Sequence, residues 1–340
     1  MCIRTLTPTI LAVLLPTLVF AEEQTGAWAI SVDNDLFGPT RSDRDYTAGT
    51  AFTYSGPEVE GGWNLLNQSL RALNRLFLSE EDENTPKAAT AFEVGLYGFT
   101  PNDLSRSDVM EDDRPYSSLA YLSSSRSYFD TTSDNGWTTS LTIGMLGLDL
   151  FEAAQNAVHP LVGSDSAKGW DHQVSEGGEL TFRYGVAYHE YLDQSRPDSQ
   201  FKRTYFASIG YLTEAGVALV FRDGLISSPD NRFNPELSTY GERSPMSAME
   251  GSQESYFWGG IALKGRLYNA FLEGQFRRSE HKIDRSDLRY WLAEAWLGYT
   301  HSFFEHYKFS YFVRVQSSEI QGGEGDRGLV WGGVVLSRTY

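Results

Sequence analysis

The stretch Gly328 to Tyr340, GLVWGGVVLSRTY, decides how the rest of the chain is read. Val334 and Leu336 stand at alternate positions before an aromatic residue that ends the sequence. Successive side chains of a strand point to opposite faces, so this segment is built to be apolar on one side. Outward from it the chain is rich in aromatic residues, 14% in all, with 19 Tyr, 20 Phe and 8 Trp. Beyond the N-terminal segment, no apolar run approaches the roughly 20 residues a membrane helix needs.

Many aromatics without a long apolar run suit a soluble all-β protein or a transmembrane β-barrel. The terminal segment favours the barrel, because its aromatic ending resembles the closing strand of bacterial outer-membrane barrels, which the barrel-assembly machinery recognises. Segments of alternating polarity recur along the chain: Ala27 to Phe37, Tyr46 to Ser55, Ala91 to Phe99, Tyr116 to Tyr128, Trp137 to Leu148 and Glu179 to Tyr191. They continue as Phe201 to Arg222, Ser255 to Arg266, Tyr268 to Arg278, Tyr290 to His301, Tyr307 to Val315 and the terminal strand. The count is twelve if Phe201 to Arg222 is one strand and thirteen if Thr213 to Gly216 is a turn. Single-chain bacterial barrels have even strand numbers, with short periplasmic turns and long outer loops. Twelve places most long connections outside, including Asp149 to Gly178 and Asp223 to Glu254. The expected fold is therefore an all-β, antiparallel up-and-down transmembrane barrel of about twelve strands.

Met1 to Ala21 has the layout of a secretory signal: Arg4, an apolar run from Ile10 to Phe20, then Val19-Phe20-Ala21, with cleavage expected after Ala21. Residues 22–340 then form one outer-membrane barrel domain. The only cysteine, Cys2, lies in the signal, so disulfide, iron-sulfur and thiol chemistry are excluded from the mature chain. The net charge of −17 excludes nucleic acid as a natural partner, because phosphate binding needs clustered positive charge. One long connection, Gly56 to Ala89, remains on the periplasmic side. Within it Trp63, Leu66, Leu70, Leu73 and Phe77 make an apolar stripe at helical spacing, predicting an amphipathic helix over about 62–78. Such a helix would pack on the barrel end or lie on the inner leaflet face, more readily than bind a partner protein.

Two clusters could carry chemistry. Ser31 to Gly49, SVDNDLFGPTRSDRDYTAG, crowds Asp33, Asn34, Asp35, Asp43 and Asp45 into one hairpin end. Hard oxygen ligands of this kind favour calcium, although an acidic loop also serves solubility or bridges lipopolysaccharide through divalent ions. The EF-hand ligand periodicity is absent. The second cluster is a predicted helix over about 149–162, DLFEAAQNAVHPLV, interrupting the strands. Asp149 and Glu152 resemble a capping box, and Pro160 should stop the helix near His159. Gln155 and His159 are one turn apart and aim at one place. An imidazole near neutrality is the commonest general base, and a lone histidine also serves as a structural plug of a lumen. Neither a GxSxG elbow nor an HExxH pair competes.

With these residues in view, the chain resembles the outer-membrane lipid A 3'-O-deacylase family, calcium-dependent twelve-stranded barrels that remove the 3'-acyloxyacyl group of lipopolysaccharide. The shared features are SVDNDLF, the following DYTAG, Thr100-Pro101, DRPY at Asp113 to Tyr116, Gln155-x-x-x-His159 and GWDHQ at Gly169 to Gln173. They span residues 31 to 173 and are specific as a set. The resemblance implies His159 as base, Gln155 and Asn34 in support, and Asp35, Thr47 and Gly49 as calcium ligands. Asp165 stands where the family has a glutamate. Ser117-Ser118 and Asp33 are further departures from the family pattern.

Calcium would polarise the ester carbonyl and Asn34 would help hold the oxyanion, while His159 activates water. The substrate, lipid A, lies in the outer leaflet among outer-membrane lipids, and no oligomer is implied. Strict alternation from Trp28 points Asn34 at lipid and Asp33 and Asp35 inward, so a bulge at that strand end is expected. The rival readings are an outer-membrane phospholipase, which would need a serine paired with the histidine, a non-catalytic barrel, and a soluble periplasmic β-protein.

Overall fold

In the computed structural model the described residues are 26–39, 44–56, 59, 65–77, 87–130, 135–162, 166–193, 196–228, 230–238, 240, 242, 253–304 and 306–340. The Met1 to Ala21 signal, Asp43, Trp63 and Asp165 lie outside them, as does the side chain of His159.

Among the described residues twelve antiparallel strands close into a barrel: β1 (Ala27–Asn34), β2 (Asp45–Ser55), β3 (Lys87–Thr100), β4 (Ser117–Asp130), β5 (Asn135–Leu146) and β6 (Glu179–Asp193), then β7 (Ser199–Gly210), β8 (Leu212–Leu225), β9 (Ser255–Asn269), β10 (Trp291–Phe303), β11 (Tyr307–Gln316) and β12 (Leu329–Thr339). The terminal stretch does the closing. β12 pairs with β1 from Ala27↔Thr339 to Asn34↔Gly332, and Gly26 and Tyr340 exchange backbone hydrogen bonds of 3.1 and 2.9 Å at the rim. Closure removes every sheet edge, which a bilayer demands because it offers backbone groups no water. Gly333 in this strand is obligatory, since a Cβ there would sit 2.3 Å from the Asp33 carboxylate. Trp28, Tyr54, Tyr307 and Tyr340 gather at the rim where β1 starts and β12 ends. That rim is the periplasmic one and is called inner below.

The number twelve is as expected, but two of its members are not. Phe201 to Arg222 is two strands, β7 and β8, reversing at Gly210-Tyr211 rather than at Thr213 to Gly216. Gly210, at φ 131°, supplies a turn so short that the alternation runs on through it. Conversely, Tyr268 to Arg278 is no strand: β9 ends at Asn269, whose side chain accepts from Phe271 N–H (3.0 Å) and starts the single helical turn Ala270–Glu273. The two differences cancel in the count but move the loop after β8 from the outer rim to the inner one.

That loop folds up into the lumen. Tyr240 packs against Phe99 with ring centroids 4.7 Å apart and also meets Tyr46, Phe271 and Trp331. Glu242 accepts from Thr142 Oγ1 (2.9 Å), and Glu236 accepts from Thr204 Oγ1 (2.6 Å) and pairs with Lys202 at 3.2 Å. Nearer the outer rim, Arg114 lies between Asp45 (3.1 Å) and Glu319 (2.9 Å), and Arg327 joins Asp45 to Asp113. The interior is thus a filled, cross-linked core. Lys202, Arg114 and Arg327 are each paired with a carboxylate within it, as burial requires.

Two longer helices complete the molecule, α1 (Leu65–Phe77) and α2 (Leu150–Val162). Pro160 does not stop the helix at His159: α2 continues to Val162 without the i→i−4 bond that Pro160 cannot donate. The Asp149 carboxylate accepts from Gln173 Nε2 (3.3 Å), tying the helix start to the GWDHQ segment.

Candidate active site on the barrel wall

Strand pairing sorts the wall into rows of outward-facing side chains. Tyr97 and Phe99 face the lumen, so Gly98 between them faces out. Across the sheet Gly98 is level with Ala48, then Asn34 on one side and Ser118 on the other. This row of small residues is where α2 sits. The Phe151 ring lies so close that a Cβ on Gly98 would be 2.8 Å from it. Phe151 also stacks on Trp170 (5.1 Å), which meets Tyr116 (4.8 Å), and Leu104 and Ala48 border the same cluster. α2 therefore lies outside the barrel, against its lipid-facing wall.

Gln155 is buried on this helix, its Oε1 accepting from Trp170 Nε1 (2.8 Å), while its Nε2 is buried with no hydrogen-bond partner among the described residues. His159 follows one turn on in the same helix. Glu152, in the first turn, has its carboxyl pushed up by burial and by the neighbouring Asp171 and Asp149 carboxylates.

The acidic hairpin reaches the level of the same row through Asn34 and Ala48. Asn34 keeps its ladder positions opposite Gly332 and Ala48, so β1 carries no bulge and Asn34 does point outward. Because α2 is on the outside, outward is toward the site and no re-aiming is needed. The bulge sits instead across the hairpin, in β2, where Thr47 drops out of register between Tyr46 and Ala48. The Asn34 amide donates to the Thr47 carbonyl (2.6 Å), and its Oδ1 accepts from Leu36 N–H (2.6 Å), starting the tight turn Asp35–Phe37. That turn buries Asp35, whose carboxylate accepts from Arg44 N–H. The Thr47 and Thr100 hydroxyls bond at 2.5 Å. Gly49 pairs with Asp33, and a Cβ on it would sit 2.1 Å from the Tyr46 hydroxyl.

Thus Asn34, Asp35 and Thr47 come together directly, and the Gly98 row links them to the helix of Gln155 and His159. Asp165 falls outside the described residues. Among the described residues no three His, Asp or Glu side chains converge on a metal position. The hairpin set holds one carboxylate, a hydroxyl and backbone carbonyls, a hard oxygen set that suits calcium and not zinc.

Sequence reading missed Trp170 as the partner of Gln155, although GWDHQ marked its segment. DRPY proves architectural: Asp113 accepts from the N–H groups of Asn102 and Arg114, both at 2.7 Å, and pairs with Arg327 at 2.8 Å. Below α2 the next two outward rows form an apolar trough of about 670 Å³, lined by Val94, Leu96, Ala120, Leu122 and Ile143 and roofed by Leu150. A smaller lumenal cavity of about 160 Å³ beside Phe233, Glu254 and Arg314 lies among the plug residues, on the other side of the wall.

An even-numbered antiparallel barrel with an apolar outer wall, aromatic rings at its inner rim and a filled lumen is a bacterial outer-membrane protein. More narrowly, the chain belongs to the family described as outer membrane protein LpxR, whose sequence model matches residues 7–340. In fold it is similar to LpxR from Salmonella typhimurium, with a TM-score of 0.68 and 17% identity over 92% of this chain and 100% of that one. Fainter likenesses are to the β domain of the Bordetella autotransporter BrkA (TM-score 0.41, 8% identity, 93% and 99% covered) and the translocator domain of NalP from Neisseria meningitidis (TM-score 0.43, 9% identity, 94% and 90% covered). No curated protein matches the sequence.

Proposed function

We propose that this outer-membrane protein is a lipid A deacylase that hydrolyses the 3'-acyloxyacyl ester of lipopolysaccharide in the outer leaflet. The observation that carries the reading is the placement of α2: a helix bearing Gln155 and His159 lies on the lipid-facing wall, directly above an apolar trough. A lipid with its head group at the outer rim would lay an acyl chain in that trough and bring its ester to the level of the Asn34–Gly98 row. His159 would take a proton from water as the water attacks the ester carbonyl, and give it to the departing alcohol oxygen as the acyl C–O bond breaks, leaving a free acid and a free hydroxyl. The buried Gln155 Nε2 offers a donor for that water or for the carbonyl oxygen, its other end being fixed by Trp170. Asp35, Thr47 and Gly49 would hold calcium, which when bound supplies Lewis-acid polarisation of the carbonyl. Asn34 is held rigid by both ends of its amide, which suits positioning.

A serine esterase fits less well. Ser118, the serine on the row beneath α2, gives its hydroxyl to Gln173 Oε1 (3.0 Å) and to the Leu148 carbonyl (3.3 Å). The test is mass spectrometry of lipid A from cells expressing the wild type and His159→Ala, each verified as inserted in the outer membrane. The expected result is loss of one acyloxyacyl unit with the wild type only. Intact lipid A in both, with calcium supplied, overturns the proposal.

A further inference from the structure

The inner helix α1 also lies outside the barrel. Thr138 and Thr142 of β5 face the lumen, bonding His189 (3.0 Å) and Glu242 (2.9 Å), so the intervening Thr139 and Leu141 face the bilayer. Yet Thr139 is 0% exposed, because α1 covers it. Asn74 donates to Thr139 Oγ1 (2.9 Å) and accepts from the Tyr184 hydroxyl (3.1 Å), and Asn67 accepts from Arg126 Nη1 (3.1 Å). Leu70, flanked by Leu66 and Leu73, packs on Leu141 and Tyr184. A polar patch on the membrane wall is thus satisfied by two asparagines, as it must be in a medium without water.

These contacts orient the helix. Its asparagine side meets the Arg126–Thr139 row, and its leucine side meets the Leu141–Tyr184 row, one step closer to the middle of the membrane. The row beyond Thr139, toward the inner rim, is aromatic, with Trp137 and Tyr188 at 4.8 Å, and such girdles mark head-group level. Arg71 and Arg75 follow Asn67 at successive spacings of four, on the flank that faces this girdle. The face turned away from the barrel exposes Leu65 (76%) and Leu76 (77%), beside the arginines. α1 carries two guanidinium groups and no acidic residue, in a chain of net charge −17.

We propose that α1 is a binding site for an anionic glycerophospholipid of the periplasmic leaflet. The lipid phosphate lies between Arg71 and Arg75 and its acyl chains lie along Leu65 and Leu76. The apolar face continues the lipid-facing belt, and the guanidinium fork matches a phosphate in shape and charge. The site is independent of the deacylase reading, being on the other leaflet.

The test places wild type and an Arg71→Gln/Arg75→Gln variant in nanodiscs of mixed phosphatidylethanolamine and phosphatidylglycerol and weighs retained lipid by native mass spectrometry. Heat-modifiability on gels confirms that both barrels are folded. The wild type should retain phosphatidylglycerol above its bulk share, and the variant should lose that preference by roughly fivefold per guanidinium removed. A Leu76→Trp reporter should be quenched by lipids brominated near the glycerol. Equal retention by both proteins, equal retention of phosphatidylethanolamine, or a reporter shielded by a co-purifying protein overturns the proposal.

Discussion

The two helices that lie against the barrel wall answer different problems with different surfaces. α1 covers a polar patch and satisfies it: Asn67 and Asn74 are spent on Arg126, Thr139 and Tyr184. α2 covers the small row Ala48, Gly98 and Ser118 through an aromatic anchor, and leaves the Gln155 Nε2 buried without a partner among the described residues. The α1 asparagines are spent on the wall itself and hold that helix in place. α2 is anchored by Phe151 and keeps the Gln155 amide in reserve, as a helix placed to meet a ligand would.

The sharpest way to break this contrast is Gly98→Leu. Its side chain would enter the space of the Phe151 ring, lifting α2 while leaving α1 and the barrel as they are. Because a displacement of about 1 Å at a reacting centre costs roughly a hundredfold in rate, lipid A deacylation should fall by about that factor in the outer membrane. A heat-modifiability assay should show the barrel intact. Between the helices lies the trough, and Ala120→Phe would narrow it beneath Leu150. Acyl units with the longest chains should then be cleaved roughly tenfold less, read from the product masses, while shorter ones are spared.

The smallest effect is one of pH. Burial and two neighbouring carboxylates hold the Glu152 pKa above the ordinary value, so the docked helix favours the protonated acid. Stability from that preference is present at low pH and is lost as pH rises through the raised pKa. Hydrogen exchange in the first turn of α2 should therefore become less protected as pH rises beyond its intrinsic dependence, and Glu152→Gln should flatten the trend. α1, which has no carboxylate, should show no such trend in either protein.

The wall itself was legible in the sequence, because alternation follows directly from strands with one face in lipid. The reversal at Gly210-Tyr211 was not, since a turn that short leaves the period of two unbroken. Tyr268 to Arg278 reads as a strand because Tyr268, Phe271 and Phe276 supply the apolar content, while the Asn269 cap that ends β9 depends on local geometry. The inward fold of the loop holding Tyr240 and Glu242 is invisible for a similar reason: its partners, Phe99 and Thr142, are far away in sequence.

At the candidate site, Asn34, Asp35 and the Gln155/His159 spacing were legible as residue types in a pattern. Which side of the wall they occupy was not. From alternation alone Asn34 points at lipid, which becomes sensible only once cross-strand register lines up Asn34, Ala48, Gly98 and Ser118 beneath a helix outside the barrel.

That placement is the central claim, and cysteine cross-linking tests it most directly, because Cys2 is the only cysteine in the chain. Cells expressing Gly98→Cys with Phe151→Cys should form a cross-link with a short bifunctional maleimide, whereas Phe99→Cys with Phe151→Cys, one residue along and facing the lumen, should not. A cross-link from position 99 and none from position 98 would put α2 inside the barrel and contradict the account.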